Sequence, residues 1–195
     1  MNALRTVPWT AGRWTTDPAS ATEEGGDLLV GAVEGSDAWR TTAYGFVHDT
    51  EHALLAPFPP GTAVEVIFTA GFTDQFDQAG VFVRAADAVW VKAGLEYADG
   101  VLGAGAVVTN GISDWSVGAV PDWLGRRVTV RVSRFSDALV IRAGADGEPL
   151  RLLRVAPFPV DQPLEAGPFA CAPTRSGLVV RFHSWTTGPA DTALH

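Results

Sequence analysis

The sequence has a single cysteine, Cys171, so no disulfide can close within the chain. No apolar run approaches the ~20 residues that a membrane-spanning helix requires. Met1 to Val7 has no apolar core of the length a signal peptide uses, and a cytoplasmic location is the expectation. Positive charge is scarce: 14 Lys and Arg stand against 22 Asp and Glu, a formal net charge of −8. A general nucleic-acid binder needs a basic stripe to displace counterions, and docking on an anionic membrane needs a basic patch, so neither partner fits. There is no phosphate loop, no dinucleotide fingerprint and no Gly-x-Ser-x-Gly elbow, so no cofactor is expected. A convincing helical stripe is also missing.

What is present is strand alternation. Val81 and Val83 alternate with Gly80, Phe82 and Arg84, and Val91, Ala93 and Leu95 with Trp90, Lys92, Gly94 and Glu96. Val128, Val130 and Val132 alternate with Arg127, Thr129, Arg131 and Ser133. With 21 Gly and 13 Pro as breakers, this predicts about a dozen strands at hairpin spacing, a two-sheet β-sandwich. A length of 195 residues and 47% hydrophobic content suit one domain over residues 1–195, its core about 8–187 with short loose tails. Ala56-Pro57-Phe58-Pro59 recurs as Ala156-Pro157-Phe158-Pro159, read as two similar strand exits and no duplication.

In a sandwich each strand buries one side and shows the other. If the valines face the core, the outer face carries Gln78, Trp90, Lys92 and Glu96, with Gly80, Gly94, Gly103 and Gly105 as a floor without bulk. Trp39, Tyr44 and Trp115 are candidates for its border, and Arg131 is a further polar candidate. Planar rings beside Gln, Lys and Glu suit a sugar, whose C–H faces are apolar and whose hydroxyls need donors and acceptors. Lys92 and Glu96 lie four residues apart, about 13 Å along a strand, too far to pair with each other.

Other constellations are weaker. His48-Asp49-Thr50-Glu51-His52 lies between strands, where Asp49-Thr50-Glu51 reads as a hairpin tip, and a zinc motif would need a helix. Cys171 in Phe169-Ala170-Cys171-Ala172-Pro173 reads as a buried inert thiol, not a partner for His183 in a hydrolase. No metal site is expected. Glycoside hydrolysis needs two carboxylates about 5–5.5 Å or 6.5–9.5 Å apart. Glu96 is the one that alternation puts on the outer face, while Asp74, Asp77 and Asp114 fall at strand ends or in loops. Binding therefore ranks first, a hydrolase or lyase using Glu96 second, and a regulatory module with a protein partner third.

Six phrases in order carry a family resemblance: Trp39-Arg40-Thr41-Thr42-Ala43-Tyr44-Gly45-Phe46, Asp77-Gln78-Ala79-Gly80, Trp90-Val91-Lys92-Ala93-Gly94-Leu95-Glu96, Val107-Val108-Thr109, Ser113-Asp114-Trp115-Ser116 and Gly167-Pro168-Phe169-Ala170-Cys171-Ala172-Pro173. Over nearly its whole length the chain resembles a family of unknown function that includes the fungal regulation-of-enolase protein, within the concanavalin A-like lectin/glucanase superfamily. The resemblance implies an all-β jelly-roll sandwich of two antiparallel sheets, one with a concave outer face. This chain departs from the family's usual residues at Ala38, where an aromatic is common, and at Phe76, where a Tyr is common.

Overall fold

The computed structural model describes residues 4–69, 71–159 and 161–194. In chain order the strands are β1 Arg5–Thr6, β2 Arg13–Trp14, β3 Ser20–Glu24, β4 Asp27–Gly31, β5 Ala38–Arg40 and β6 Val47–Asp49. They continue as β7 His52–Pro57, β8 Thr62–Thr69, β9 Asp77–Ala86, β10 Val89–Ala98, β11 Val101–Asn110 and β12 Ile112–Ala119. The remainder are β13 Arg127–Arg134, β14 Ala138–Ala145, β15 Arg151–Pro157, β16 Glu165–Cys171 and β17 Val179–Pro189. Helix among the described residues is confined to the short 3-10 turns Trp9–Ala11 and Pro121–Trp123.

Two antiparallel sheets form the sandwich. An eight-stranded sheet runs β15-β14-β13-β8-β17-β4-β3, with β1 added beside β17, and a seven-stranded sheet runs β12-β11-β10-β9-β16-β7-β2. The fold is the all-β sandwich that the alternation predicts. Ala79, Val81, Val83, Val91, Ala93 and Leu95 of one sheet face Val64, Val66, Phe68, Val128, Val130 and Val132 of the other in one continuous core. Each fully buried Val or Leu contributes about 1.5–3 kcal/mol. A one-residue slip of β10 would exchange that row for Trp90, Lys92 and Glu96, so the register is strongly fixed. Pro57 and Pro157 end β7 and β15, in keeping with two strand exits.

The outer face of the seven-stranded sheet departs from expectation. It is not an open face, because the hairpin β5–β6 folds over it. Ala38 and Trp39 of β5 pack with Ala53, Leu55, Phe82, Trp90, Val107, Phe169 and Cys171 into a second apolar cluster. Ala38 is fully buried there. The glycine floor has a steric cause of its own: Gly80 and Gly94 are register partners, and a β-carbon on either would run into the carbonyl of Ala93 or Ala79.

Two further readings need correction. Thr50 and Glu51 are not a hairpin tip, since β6 pairs with β5 whereas β7 joins β16 and β2 in the large sheet. Nor are the ends loose where they are described. Arg5 and Thr6 pair with Thr187 and Thr186, and Asp191 is gripped by Arg131 and Arg142.

Candidate functional site

The alternation that fixes the core also puts Lys92 on the outer side of β10, opposite Phe82, and Glu96 on the same side opposite Gln78. Lys92 is the only lysine in the chain. Its side chain is 5% exposed, and its Nζ donates to Asp37 Oδ1 at 2.7 Å and to Gln78 Oε1 at 2.7 Å. Asp37 comes from the segment just before β5. Ala38 N donates to the same Oδ1 at 2.8 Å, and Gln78 Nε2 lies 3.4 Å from it. Thr50 locks the Asp37 backbone, with Thr50 N donating to Asp37 O at 2.9 Å and Asp37 N to Thr50 Oγ1 at 3.1 Å. Gly35 N and Ser36 Oγ hydrogen-bond to Ala172, which pins the same segment over the end of β16.

The electrostatics follow from burial. Desolvation alone would lower the Lys92 ammonium, but Asp37 above all holds it above its ordinary value, so it is charged. Burial pushes the Glu96 carboxyl up; Lys92 opposes this and Asp37 adds to it. No hydrogen bond reaches the Glu96 carboxyl among the described residues, and every bond to the Asp37 carboxyl goes to Oδ1. Glu96 and Asp37 Oδ2 are therefore open acceptors.

These groups form the floor of a cavity of about 380 Å³. Trp39, Tyr44, Phe46 and His48 of the hairpin, Trp115 of β12, and Phe76, Pro173 and Thr174 line it. The rings brace one another: Tyr44 stacks on Phe46 at 5.3 Å, and Trp39 and His48 meet them edge-on at 5.7 and 4.7 Å. Thr41 and Ala43, on either side of Thr42 in the hairpin turn, adopt φ of 58° and 61°, and Phe76 adopts 64°. Non-glycine residues rarely take that conformation, and here it presents Tyr44 outward, 60% exposed. A shallow extension of the cavity runs past Gly94, Gly105 and Val117.

Of the sequence candidates, Trp39, Tyr44, Gln78, Lys92, Glu96 and Trp115 are brought together in this cavity. Two are not. Trp90 is 2% exposed, stacked on Phe82 beneath the hairpin cluster, and borders instead a separate cavity of about 300 Å³ with Thr15, Asp49, Glu51 and Arg84. Arg131 lies on β13 in the opposite sheet, paired with Asp191 and Glu65. Alternation identifies the side of a strand but not which sheet that side belongs to. Cys171 is wholly buried, its thiol pushed well up by desolvation, and it sits on a different sheet from His183. Asp77 is held by Arg175 at 2.7 Å and Asp114 by Arg154 at 2.9 Å, so neither is the second carboxylate beside Glu96. Asp37 takes that place, and sequence reasoning missed it, along with Phe46 and His48. The signal for Asp37 was indirect: a lone lysine in a chain that otherwise uses arginine, on a strand face that proves buried, requires a carboxylate partner.

The model of the family described as Protein of unknown function (DUF1349) matches residues 14–190. The chain belongs to this family. It is 38% identical over 185 residues to Regulation of enolase protein 1 of Saccharomyces cerevisiae, spanning 94% of this chain and 93% of that protein. A crystal structure of a functionally unknown protein from Saccharomyces cerevisiae superposes with a TM-score of 0.88 at 34% identity, covering 95% of this chain and 100% of the other. At fold level alone, the chain is similar to a xylan β-1,4-xylosidase from Bacillus halodurans, with TM-score 0.68, 12% identity, and coverage of 93% of this chain and 38% of that one. The same holds for a legume lectin-like domain from Entamoeba histolytica, with TM-score 0.64, 8% identity and 97% of both chains covered. The chain thus shares its β-sandwich fold with lectin-like and glycoside hydrolase neighbours.

Proposed function

We propose that the protein binds a saccharide in the cavity between the hairpin β5–β6 and Trp115, with Lys92, Gln78, Asp37 and Glu96 as its polar floor. The observation that carries this reading is the buried Lys92, tied to Asp37 and Gln78 at the base of a cavity whose walls are aromatic. Apolar walls with a few convergent polar groups are the usual make-up of a small-molecule site. A pyranose matches it, since its C–H faces can lie on Trp115 and Tyr44 while its hydroxyls reach the floor. Stability gives no reason to put an ion pair there, because a well-packed apolar replacement of a buried pair is often neutral or stabilising. The lectin-like and xylosidase neighbours add support from fold alone.

A second reading rests on the two carboxyls. Asp37 is paired with Lys92 while burial holds Glu96 above its ordinary value, and two carboxyls with divergent environments in one cavity suit glycoside hydrolysis. Glycan-array screening of wild type and Trp115→Ala tests the first reading, which requires a hit that the variant loses. Product release abolished by Glu96→Gln would favour the second. No glycan bound, together with a protein partner recovered by pull-down, would overturn both in favour of a regulatory interaction module.

A further inference from the structure

The charge and hydrogen-bonding capacity of the cavity name a class of saccharide, if the binding reading above holds. Its floor carries one cation, Lys92, and two carboxylates, Asp37 and Glu96. Two of the three Lys92 N–H groups are already engaged, by Asp37 Oδ1 and Gln78 Oε1. Three carboxylate oxygens, Asp37 Oδ2 and both of Glu96, have no hydrogen-bond donor among the described residues. At the floor itself, an incoming ligand meets three open carboxyl oxygens against the one remaining Lys92 N–H and the second proton of Gln78 Nε2, on a chain of formal charge −8.

We infer that the preferred occupant is a saccharide bearing a protonated amine, held by Glu96 with Asp37 Oδ2 within the same floor, and that uronates are rejected. An ammonium brings three donors and one positive charge to the two things the floor lacks. An uncharged sugar brings hydroxyl donors but leaves the excess negative charge unmatched. A uronate brings a carboxylate to a floor whose one cation is already paired, and like charges at close range repel. The electrostatics of the floor agree. Glu96 is held up by burial and by Asp37, so an ammonium beside it would relieve the condition that disfavours its charge. Lys92 opposes Asp37 there; the other elements bordering the cavity bring Gln78 from β9, Trp115 from β12, and Tyr44 and His48 from the hairpin.

The test is calorimetric titration of four short oligosaccharides at near-physiological salt, at a pH where a sugar amine is protonated. They are a β-1,4-glucosamine oligomer, its N-acetylated counterpart, the unsubstituted glucose oligomer and a galacturonate oligomer. The expected result is tenfold or tighter binding of the amine-bearing oligomer than of either neutral one, with no detectable uronate binding. In Glu96→Gln, folded by the criterion of an unchanged or higher melting temperature, the ratio of amine to neutral affinity should fall to within about twofold, whatever the substitution does to each affinity. Equal wild-type affinity for amine and neutral oligomers, or a uronate that binds tightest, overturns the inference and leaves saccharide binding intact. An amine advantage that survives both Glu96→Gln and Trp115→Ala is nonspecific attraction of a polycation to an acidic protein and also overturns it. Failure of all four to bind removes the saccharide reading itself.

Discussion

The outer faces of the two sheets carry polar clusters built from the same kinds of residue, and they end in opposite conditions. On the eight-stranded sheet, Arg131 Nε and Arg142 Nε each donate to one oxygen of Asp191, at 2.9 and 3.0 Å. Arg131 also meets Glu65 at 3.5 Å and the Pro189 carbonyl at 2.8 Å, while Arg142 reaches the Ala193 and Leu194 carbonyls. Both carboxylate oxygens are engaged, and the cluster ties down the end of the chain. On the seven-stranded sheet, Lys92, Asp37 and Gln78 are as closely bonded, yet Asp37 Oδ2 and the Glu96 carboxyl find no donor among the described residues and border a cavity. Charge on an outer strand face is therefore a poor guide to function. Unmatched acceptors that face a cavity are a better one, because leaving a partly buried polar group unbonded is costly unless something else can bond it.

The largest expected effect lies at Asp37. Replacing it with Ala strands the Lys92 ammonium in a nearly dry site, and removing one member of a buried pair costs about 3 kcal/mol or more. For a chain of this size that is roughly 6–12 °C in melting temperature. The double variant Asp37→Ala, Lys92→Met should recover most of it, since no lone charge then remains. Differential scanning calorimetry of the three proteins decides the matter. If the single variant melts within a degree or two of wild type, Lys92 is better solvated than its 5% exposure indicates, and the contrast between the clusters weakens.

Asp191 should show the opposite profile, a smaller loss of stability and no loss of binding. Burial opposes its ionisation, but Arg131 and then Arg142 hold its carboxyl below the ordinary value of 3.8. A carboxylate with a depressed folded pKa contributes stability that is fully present above its unfolded value and is lost as pH falls through the folded one. Asp191→Ala should thus cost about 1 kcal/mol near neutrality, allowing for solvent screening of a partly exposed pair. The melting curves of variant and wild type should converge in acid below the ordinary carboxylate range. A constant gap across that range would mean the loss comes from packing of the tail and not from the ion pairs.

Trp115→Ala sharpens the same comparison from the ligand's side. The ring is 41% exposed, so its removal should change stability by no more than about 0.5 kcal/mol. Saccharide affinity should fall about tenfold, the scale of a lost aromatic contact. Equal affinity in the variant would count against saccharide binding in this cavity.

How far these sites could be read from the sequence depends on the range of each interaction. Period-2 alternation needs only neighbours in the chain, so the core face of Val91, Ala93 and Leu95 and the shared side of Gln78, Lys92 and Glu96 were legible, as was the sandwich. The cover was not. Asp37 and Lys92 are 55 positions apart, and nothing in Ser36-Asp37-Ala38-Trp39 says that this segment crosses the sheet to meet β10. For the same reason Trp90 looked available when it is roofed by the hairpin, and Arg131 was grouped with residues of the other sheet. The use of one lysine against thirteen arginines was a local fact with a long-range meaning. A compact ammonium fits a buried three-way junction that a broad planar guanidinium would not.

The smallest expected effect, Glu96→Gln, bears most directly on why the two clusters differ. Burial and Asp37 raise the Glu96 carboxyl above its ordinary value of 4.5, even though Lys92 pulls the other way. The folded state therefore holds this proton more tightly than the unfolded chain does. Below 4.5 the group is protonated in both states and costs nothing; as pH rises from there through the folded pKa, ionisation of the buried carboxyl increasingly opposes folding. A glutamine keeps the shape and removes the charge. The ligand-free variant should match wild type in mild acid and become the more stable protein at neutral pH, by about 0.5 kcal/mol, the scale of a minor substitution. Melting temperatures across that pH range measure it. With the amine-bearing oligomer present the order should reverse, because wild type then gains binding free energy that the variant lacks. A variant less stable than wild type at every pH would mean that Glu96, like Asp191, already has its partner within the protein.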